Sequence, residues 1–116
     1  MSEEKRFLSA EEILAVEDIK IAEVDVPEWG GVVRLRPMSG EEAEQFVSIV
    51  SKDKTGAAIK VVAMCAVKED GLTRLFTEEQ VGLLKKKALR AIMRLQKKAM
   101  EINGLNEEGL AETKNA

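Results

Sequence analysis

The feature that most constrains this chain is the segment Val24-Asp25-Val26-Pro27-Glu28-Trp29-Gly30-Gly31-Val32-Val33-Arg34-Leu35. Two runs with strand-like alternation flank a proline and a glycine pair. Pro27 fixes φ and ends the first run, and Gly30-Gly31 supply the positive φ of a tight reversal. Trp29 stands between them, where a rigid aromatic can close the open face of a hairpin or anchor an interface. The expectation is an antiparallel hairpin whose second strand, Val32 to Arg36, is closed by Pro37. Upstream, Ile19-Lys20-Ile21 also alternates, but the phase slips at Ala22-Glu23. Strand side chains alternate with period two, so the slip predicts a bulge or a break.

The rest of the sequence is patterned for helices. Ser9 with Glu12, Ser39 with Glu42 and Thr77 with Gln80 are three capping boxes, each opening a helix. The first helix is short, runs to Val16 and carries Ile13, Leu14 and Val16 on one sticky side. The second has Ala43, Phe46, Val47 and Val50 at helical spacing and ends in the polar loop Lys52-Asp53-Lys54-Thr55-Gly56. Residues 57–67 are apolar on nearly every side, and their length and alanine content favour a buried helix. Glu69-Asp70-Gly71 is a turn signal before the extended Leu72-Thr73-Arg74-Leu75-Phe76. From Thr77 a helical segment runs to about Ile102 and stops at Asn103-Gly104. Gly82 and Lys85-Lys86-Lys87 are the natural place for it to break. Asn106-Glu107-Glu108 can cap a last turn.

A chain of 116 residues fits one domain. The expected organisation is a flexible arm over residues 1–7, a single α+β domain over 8–112 with an N-terminal β-hairpin packed on a mostly helical body, and a loose tail over 113–116. Only 3% of the residues are aromatic, so the core must be built from Leu, Ile, Val, Ala and Met. Phe7, Phe46 and Phe76 are expected in it. No membrane-spanning stretch and no signal peptide are read from the sequence, and the lone Cys65 fits a reducing compartment.

Catalysis finds little purchase here. There is no histidine, the usual general base and the commonest transition-metal ligand. One cysteine cannot make a zinc site, and no phosphate-binding loop is present. The paired acids Glu11-Glu12, Glu41-Glu42 and Glu78-Glu79 fall in first turns of expected helices, where carboxylates suit the positive end of the helix dipole. The chain is therefore expected to be no enzyme, with no cofactor and no metal.

What remains is binding. Ala88, Ile92, Leu95, Ala99 and Ile102 form the seam of the last helix, widened by Leu89, Met93 and Met100. Either all of these fill the core, or the methionine side is an adaptable contact surface. Arg90, Arg94, Lys97 and Lys98 share a basic face, which is either solvated or turned to an acidic protein surface. With a net charge of −3 and no aromatics interleaved with the bases, nucleic acid is not the expected partner. The candidate partner-binding residues are Trp29, Leu89, Met93, Met100, Arg90, Arg94 and Lys97.

The order of these parts resembles a known family. Leu8-Ser9-Ala10-Glu11-Glu12-Ile13-Leu14-Ala15, then Val26-Pro27-Glu28-Trp29-Gly30-Gly31, then Arg36-Pro37-Met38-Ser39-Gly40-Glu41-Glu42 precede an apolar helix, Glu69-Asp70-Gly71, Leu75-Phe76 and a long helix ending at Asn103-Gly104-Leu105. Over residues 8 to about 110 this is similar to the tail assembly chaperones of long-tailed bacteriophages, although the lysine run at 85–87 departs from the family's pattern. The resemblance implies a non-catalytic protein of the infected cell's cytoplasm, absent from the mature virion. It also implies that the protein coats the tape-measure protein, helps recruit tail-tube subunits and forms homo-oligomers. A longer product made by frameshifting near Lys114-Asn115 is a further implication. The alternative role is a structural subunit of the tail itself.

Overall fold

In the computed structural model, which describes residues 5–53 and 56–105, β1 (Ala22–Val26) and β2 (Gly31–Leu35) form the expected antiparallel hairpin. A single 3-10 turn, Pro27–Trp29, connects them, and Gly30 at φ 71° completes the reversal. Register pairs Ala22 with Leu35, Val24 with Val33 and Val26 with Gly31. Alternation then turns Val24, Val26 and Leu35 inward and Glu23 and Asp25 outward. On the outer face Glu23 pairs across the strands with Arg34 at 3.1 Å. The phase slip at Ala22 is a break: residues 17–21 are not part of the strand.

Among the described residues five α-helices accompany this hairpin: α1 (Ala10–Ala15), α2 (Gly40–Lys52), α3 (Ala57–Cys65), α4 (Glu78–Leu84) and α5 (Leu89–Ile102). All three capping boxes form reciprocally, Ser9 with Glu12, Ser39 with Glu42 and Thr77 with Gln80. The paired acids sit in the first turns of α1, α2 and α4. Glu42 does more than cap, because its carboxylate also meets Arg36 at 3.3 Å and Arg74 at 3.2 Å. Burial pushes its pKa upward, but the Ser39 N–H and hydroxyl and the two arginines hold it below the ordinary carboxylate value.

The apolar stretch 57–67 is not helical throughout. Its last two residues form β3 (Ala66–Val67), which adds to β2 as the third antiparallel strand, in the order β1-β2-β3. A run apolar on every side has no periodicity to separate helix from strand, so only the pairing with Arg34 and Leu35 decides it. The extended residues after the Glu69-Asp70-Gly71 turn return against β3, with Val67 bridged to Arg74 and the Leu75 N–H donating to the Ala66 carbonyl at 3.0 Å. Asp70 fastens this turn: its carboxylate accepts from the Thr73 hydroxyl and from the N–H groups of Leu72 and Thr73, which holds its pKa at about 2.

The long C-terminal segment breaks at the lysines, with turn residues from Lys85 separating α4 from α5, while Gly82 stays within α4. α5 buries Ala91, Ile92, Leu95 and Ala99 against α3 and β1. Ala88 is not in this seam; it is the N-cap of α5 and is exposed, and Ala91 takes its place. Phe46 and Phe76 pack on the core edge as expected. Phe7, expected in the core, is 86% exposed, and Val47 on α2 also faces outward. α1 and α2 bury no residue fully. The expectations for residues 1–4, Lys54-Thr55, Asn106-Glu107-Glu108 and the 113–116 tail lie outside the described residues.

Two polar ties close the body. Asn103, the C-cap of α5, donates through Nδ2 to the Ala99 carbonyl at 2.6 Å and to Cys65 Sγ at 3.5 Å. Its Oδ1 accepts from the Met38 N–H at 2.7 Å. One side chain thus joins α5, the end of α3 and the loop into α2. The second tie is Arg94 on α5, whose guanidinium forks onto Glu28 at 3.2 and 2.9 Å and latches the hairpin turn to the helix.

Both ties make predictions. Asn103→Ala strands the partly buried Met38 N–H, which costs about 1–3 kcal/mol and lowers the thermal midpoint by several degrees in calorimetry. Asn103→Asp keeps that acceptor and is expected to fall between the two. For Glu28 the hydrogen bonds from Arg94 lower the folded pKa below the model-peptide value of 4.5. Its contribution is therefore complete above that value and is lost as pH falls through the folded pKa. Glu28→Gln is expected to melt below wild type at neutral pH and low salt. The gap should close as pH falls below 4.5 and through the folded Glu28 pKa, and on adding salt, since the pair is solvent-exposed.

Candidate functional site

α5 is amphipathic by sequence: its apolar stripe faces α3 and β1, which leaves a second flank open beside the hairpin. That flank forms a groove of about 750 Å³ between α5 and β1. Arg90, Met93, Arg94, Lys97 and Met100 line it, with Val24 at its base and Leu105 at its end. Five of the seven residues singled out in the sequence therefore meet in one place. Spacing explains this, because positions 90, 93, 94, 97, 100 and 101 follow one another along a single helical flank.

The two methionines divide the work. Met93 is 54% exposed and presents its thioether to the groove. Met100 is half-buried and packs on the core, so it supports the floor more than it offers surface. Of the two readings open in the sequence, core packing holds for Met100, and Met93 is left exposed on the groove. Leu89 is 71% exposed at the first turn of α5, outside the groove lining. Trp29 lies elsewhere, 36% exposed, where it lines a second depression of about 610 Å³ with Val33, Phe76 and Leu83.

The groove's rim is basic. Arg94 is committed to Glu28, whose hydrogen bond raises the guanidinium pKa further. Lys98 pairs with Glu101 at 3.6 Å, one turn along the helix. Arg90 and Lys97 form no ion pair among the described residues, so they are the cations open to an incoming carboxylate.

Leu105 and Glu28 are among the contributors that were not singled out in the sequence. Leu105 enters the groove through the C-terminal stop of α5: Gly104 at φ 70° lets the Leu105 N–H reach the Met100 carbonyl at 2.8 Å and the Gly104 N–H reach the Glu101 carbonyl at 3.1 Å. This is the Schellman arrangement, which brings the residue after the glycine back onto the last turn. The Asn103-Gly104-Leu105 triplet carried that signal. Glu28 carried none, because it lies 66 positions from its partner Arg94.

Cys65 is buried in the core, and burial, against the Asn103 hydrogen bond, pushes its thiol pKa up, which makes it a poor nucleophile. No helix among the described residues is long and apolar enough to cross a membrane.

No family model matches the sequence, and no curated protein matches it significantly. Among solved structures, the chain is similar to the tail assembly chaperone of bacteriophage HK97, at a TM-score of 0.58 and 21% identity. The superposition covers 79% of this chain and 90% of that one. At this identity the likeness is one of fold, and the resemblance read in the order of sequence motifs is matched in the arrangement of the elements themselves.

Proposed function

We propose that this chain is a tail assembly chaperone of a long-tailed phage, acting by binding and without catalysis. The observation that carries this reading is the fold likeness to the HK97 chaperone across 90% of that chain. The client is the tape-measure protein, and the surface that receives it is the α5 groove. A long helical client exposing apolar side chains needs a cover that tolerates varied sequence. An exposed methionine beside long flexible cations meets that need, since a thioether adapts its shape and Arg or Lys stems cover apolar surface. Holding the client soluble lets tail-tube subunits be recruited around it, aided by proximity on a self-associating chaperone. The site of action is the cytoplasm of the infected bacterium, and the protein is absent from the finished particle.

Co-expression with the tape-measure protein of the same phage tests this directly. The chain is expected to raise the soluble yield of the client, and Met93→Asp with Lys97→Glu to abolish that gain. Both side chains are exposed, so the variant's melting temperature should stay near wild type, as surface changes usually do, within about 0.5 kcal/mol each. Met100 is left out because it packs on the core. A client equally insoluble with and without the wild-type chain overturns the reading. Finding the chain in purified virions by mass spectrometry does so as well, and points to a structural subunit.

A further inference from the structure

Trp29 is the only tryptophan of the sequence, and the client surface on α5 makes no use of it. The 3-10 turn Pro27–Trp29 sends neighbouring side chains to different elements. Glu28 is held by Arg94 on α5, whereas Trp29 borders the depression of about 610 Å³ beside α4. The groove and the depression share no lining residue, so they are separate surfaces.

The depression is apolar at its floor and basic at its rim. Leu84 is buried in it, Phe76 is half-buried, and Leu83 stays 57% exposed. Gln80 and Lys87 are its polar lining, and no carboxylate among the described residues lines it. The turn after α4 gathers more positive charge. There the Lys86 N–H donates to the Leu83 carbonyl and the Lys87 N–H to the Leu84 carbonyl, both at 3.0 Å, which folds the lysine run back over the end of the helix. Lys85, Lys86 and Lys87 are all exposed, and none forms an ion pair among the described residues.

This lining selects its occupant. A small molecule is oriented by several polar groups converging on it, and here one amide and one ammonium line the site. Single-stranded nucleic acid stacks successive bases on successive rings, and the lining offers one exposed ring, Trp29. An apolar side chain needs no polar partner on the floor, and carboxylates beside it match the lysines. We propose that the depression between Trp29 and Leu83 binds a second partner protein, through a short peptide in which acidic residues flank an apolar side chain. The apolar side chain enters between Trp29 and Leu83, and its acidic neighbours meet the lysine run. Trp is enriched among residues that dominate interface energies, and a polar rim around an apolar centre is the usual anatomy of such a contact. The inference uses neither the α5 groove nor the client assigned to it above.

Because it is the sole tryptophan, Trp29 reports on its own site. Fluorescence titration of the full chain with the synthetic peptides Glu-Glu-X-Glu-Glu, X being Leu, Ile or Phe, tests the proposal. The expected result is a saturable blue shift of Trp29 emission as the ring leaves water, with an affinity that falls as salt is added. Leu83→Asp is expected to weaken binding about tenfold or more. Lys85→Glu with Lys86→Glu and Lys87→Glu should abolish binding of these peptides and confer binding of Lys-Lys-X-Lys-Lys. Circular dichroism checks that each variant is folded, and the charge reversal keeps Leu83, so the proposal does not depend on one variant. No shift with any of the three peptides at millimolar concentration overturns it. A shift that the charge reversal leaves unchanged, or equal binding of Glu-flanked and Lys-flanked peptides by wild type, overturns it equally. So does Trp29 emission that moves on diluting the chain alone, which assigns the site to a second copy, or tighter binding of oligothymidylate, which assigns it to nucleic acid. Because no tape-measure protein is present, failure here leaves the client reading standing, and failure of client rescue leaves this one standing.

Discussion

The burial of one α5 stripe against α3 and the hairpin holds the rest of the molecule in place. Ala91, Ile92, Leu95 and Ala99 on α5 meet Val61, Val62 and Cys65 on α3 and Val24, Val26 and Leu35 from the sheet. With 3% aromatics, the core has no large side chains to bridge wide gaps, so the backbones must approach closely. Alanine at 91 and 99 and at 66 permits that approach, and branched aliphatics fill what remains. Every other feature borrows its position from this contact. The groove exists because α5 is seated on the hairpin along one flank, and its rim is basic because the opposite side of the stripe carries Arg and Lys.

Polar ties then select one arrangement among those a slippery aliphatic core would accept. Asn103 satisfies a backbone donor before α2 while holding the end of α5 and touching the thiol of α3. Glu42 caps α2 and meets arginines from β2's exit and from the strand-like residues after β3. Glu28 and Arg94 join the hairpin turn to α5. Each links elements distant in sequence, and each carries directional hydrogen bonds where apolar contact alone would leave register loose. The open α5 flank and the uncovered N-terminal helix are what this arrangement leaves over, and both have the composition of binding surfaces.

The sequence was legible where chemistry is local. The three capping boxes, the Pro27 to Gly31 reversal, the break at the lysine run and the stop at Asn103-Gly104 all appear where their residues predicted. Each is decided by hydrogen bonds within a few residues. The α5 flank was also readable, since helical spacing alone gathers Arg90, Met93, Arg94, Lys97 and Met100. Phe7 was misplaced because an apolar side chain is expected inside, yet none of the described residues buries it. β3 was missed because Ala66 and Val67 continue an unbroken apolar run, and a strand of two residues is defined only by its partner.

By itself, then, the sequence determined the breaks, caps and turns, because each depends on backbone donors and acceptors three to six positions apart. It also determined that the last helix has two unlike faces. Only the tertiary structure decided which apolar side chains are buried, that β2 gains a third strand, and that Arg94 is spent on Glu28 while Arg90 and Lys97 stay open. Those outcomes depend on partners as far as 66 positions away. Chain closure over such distances is governed by packing of the whole core, and no local pattern carries that information.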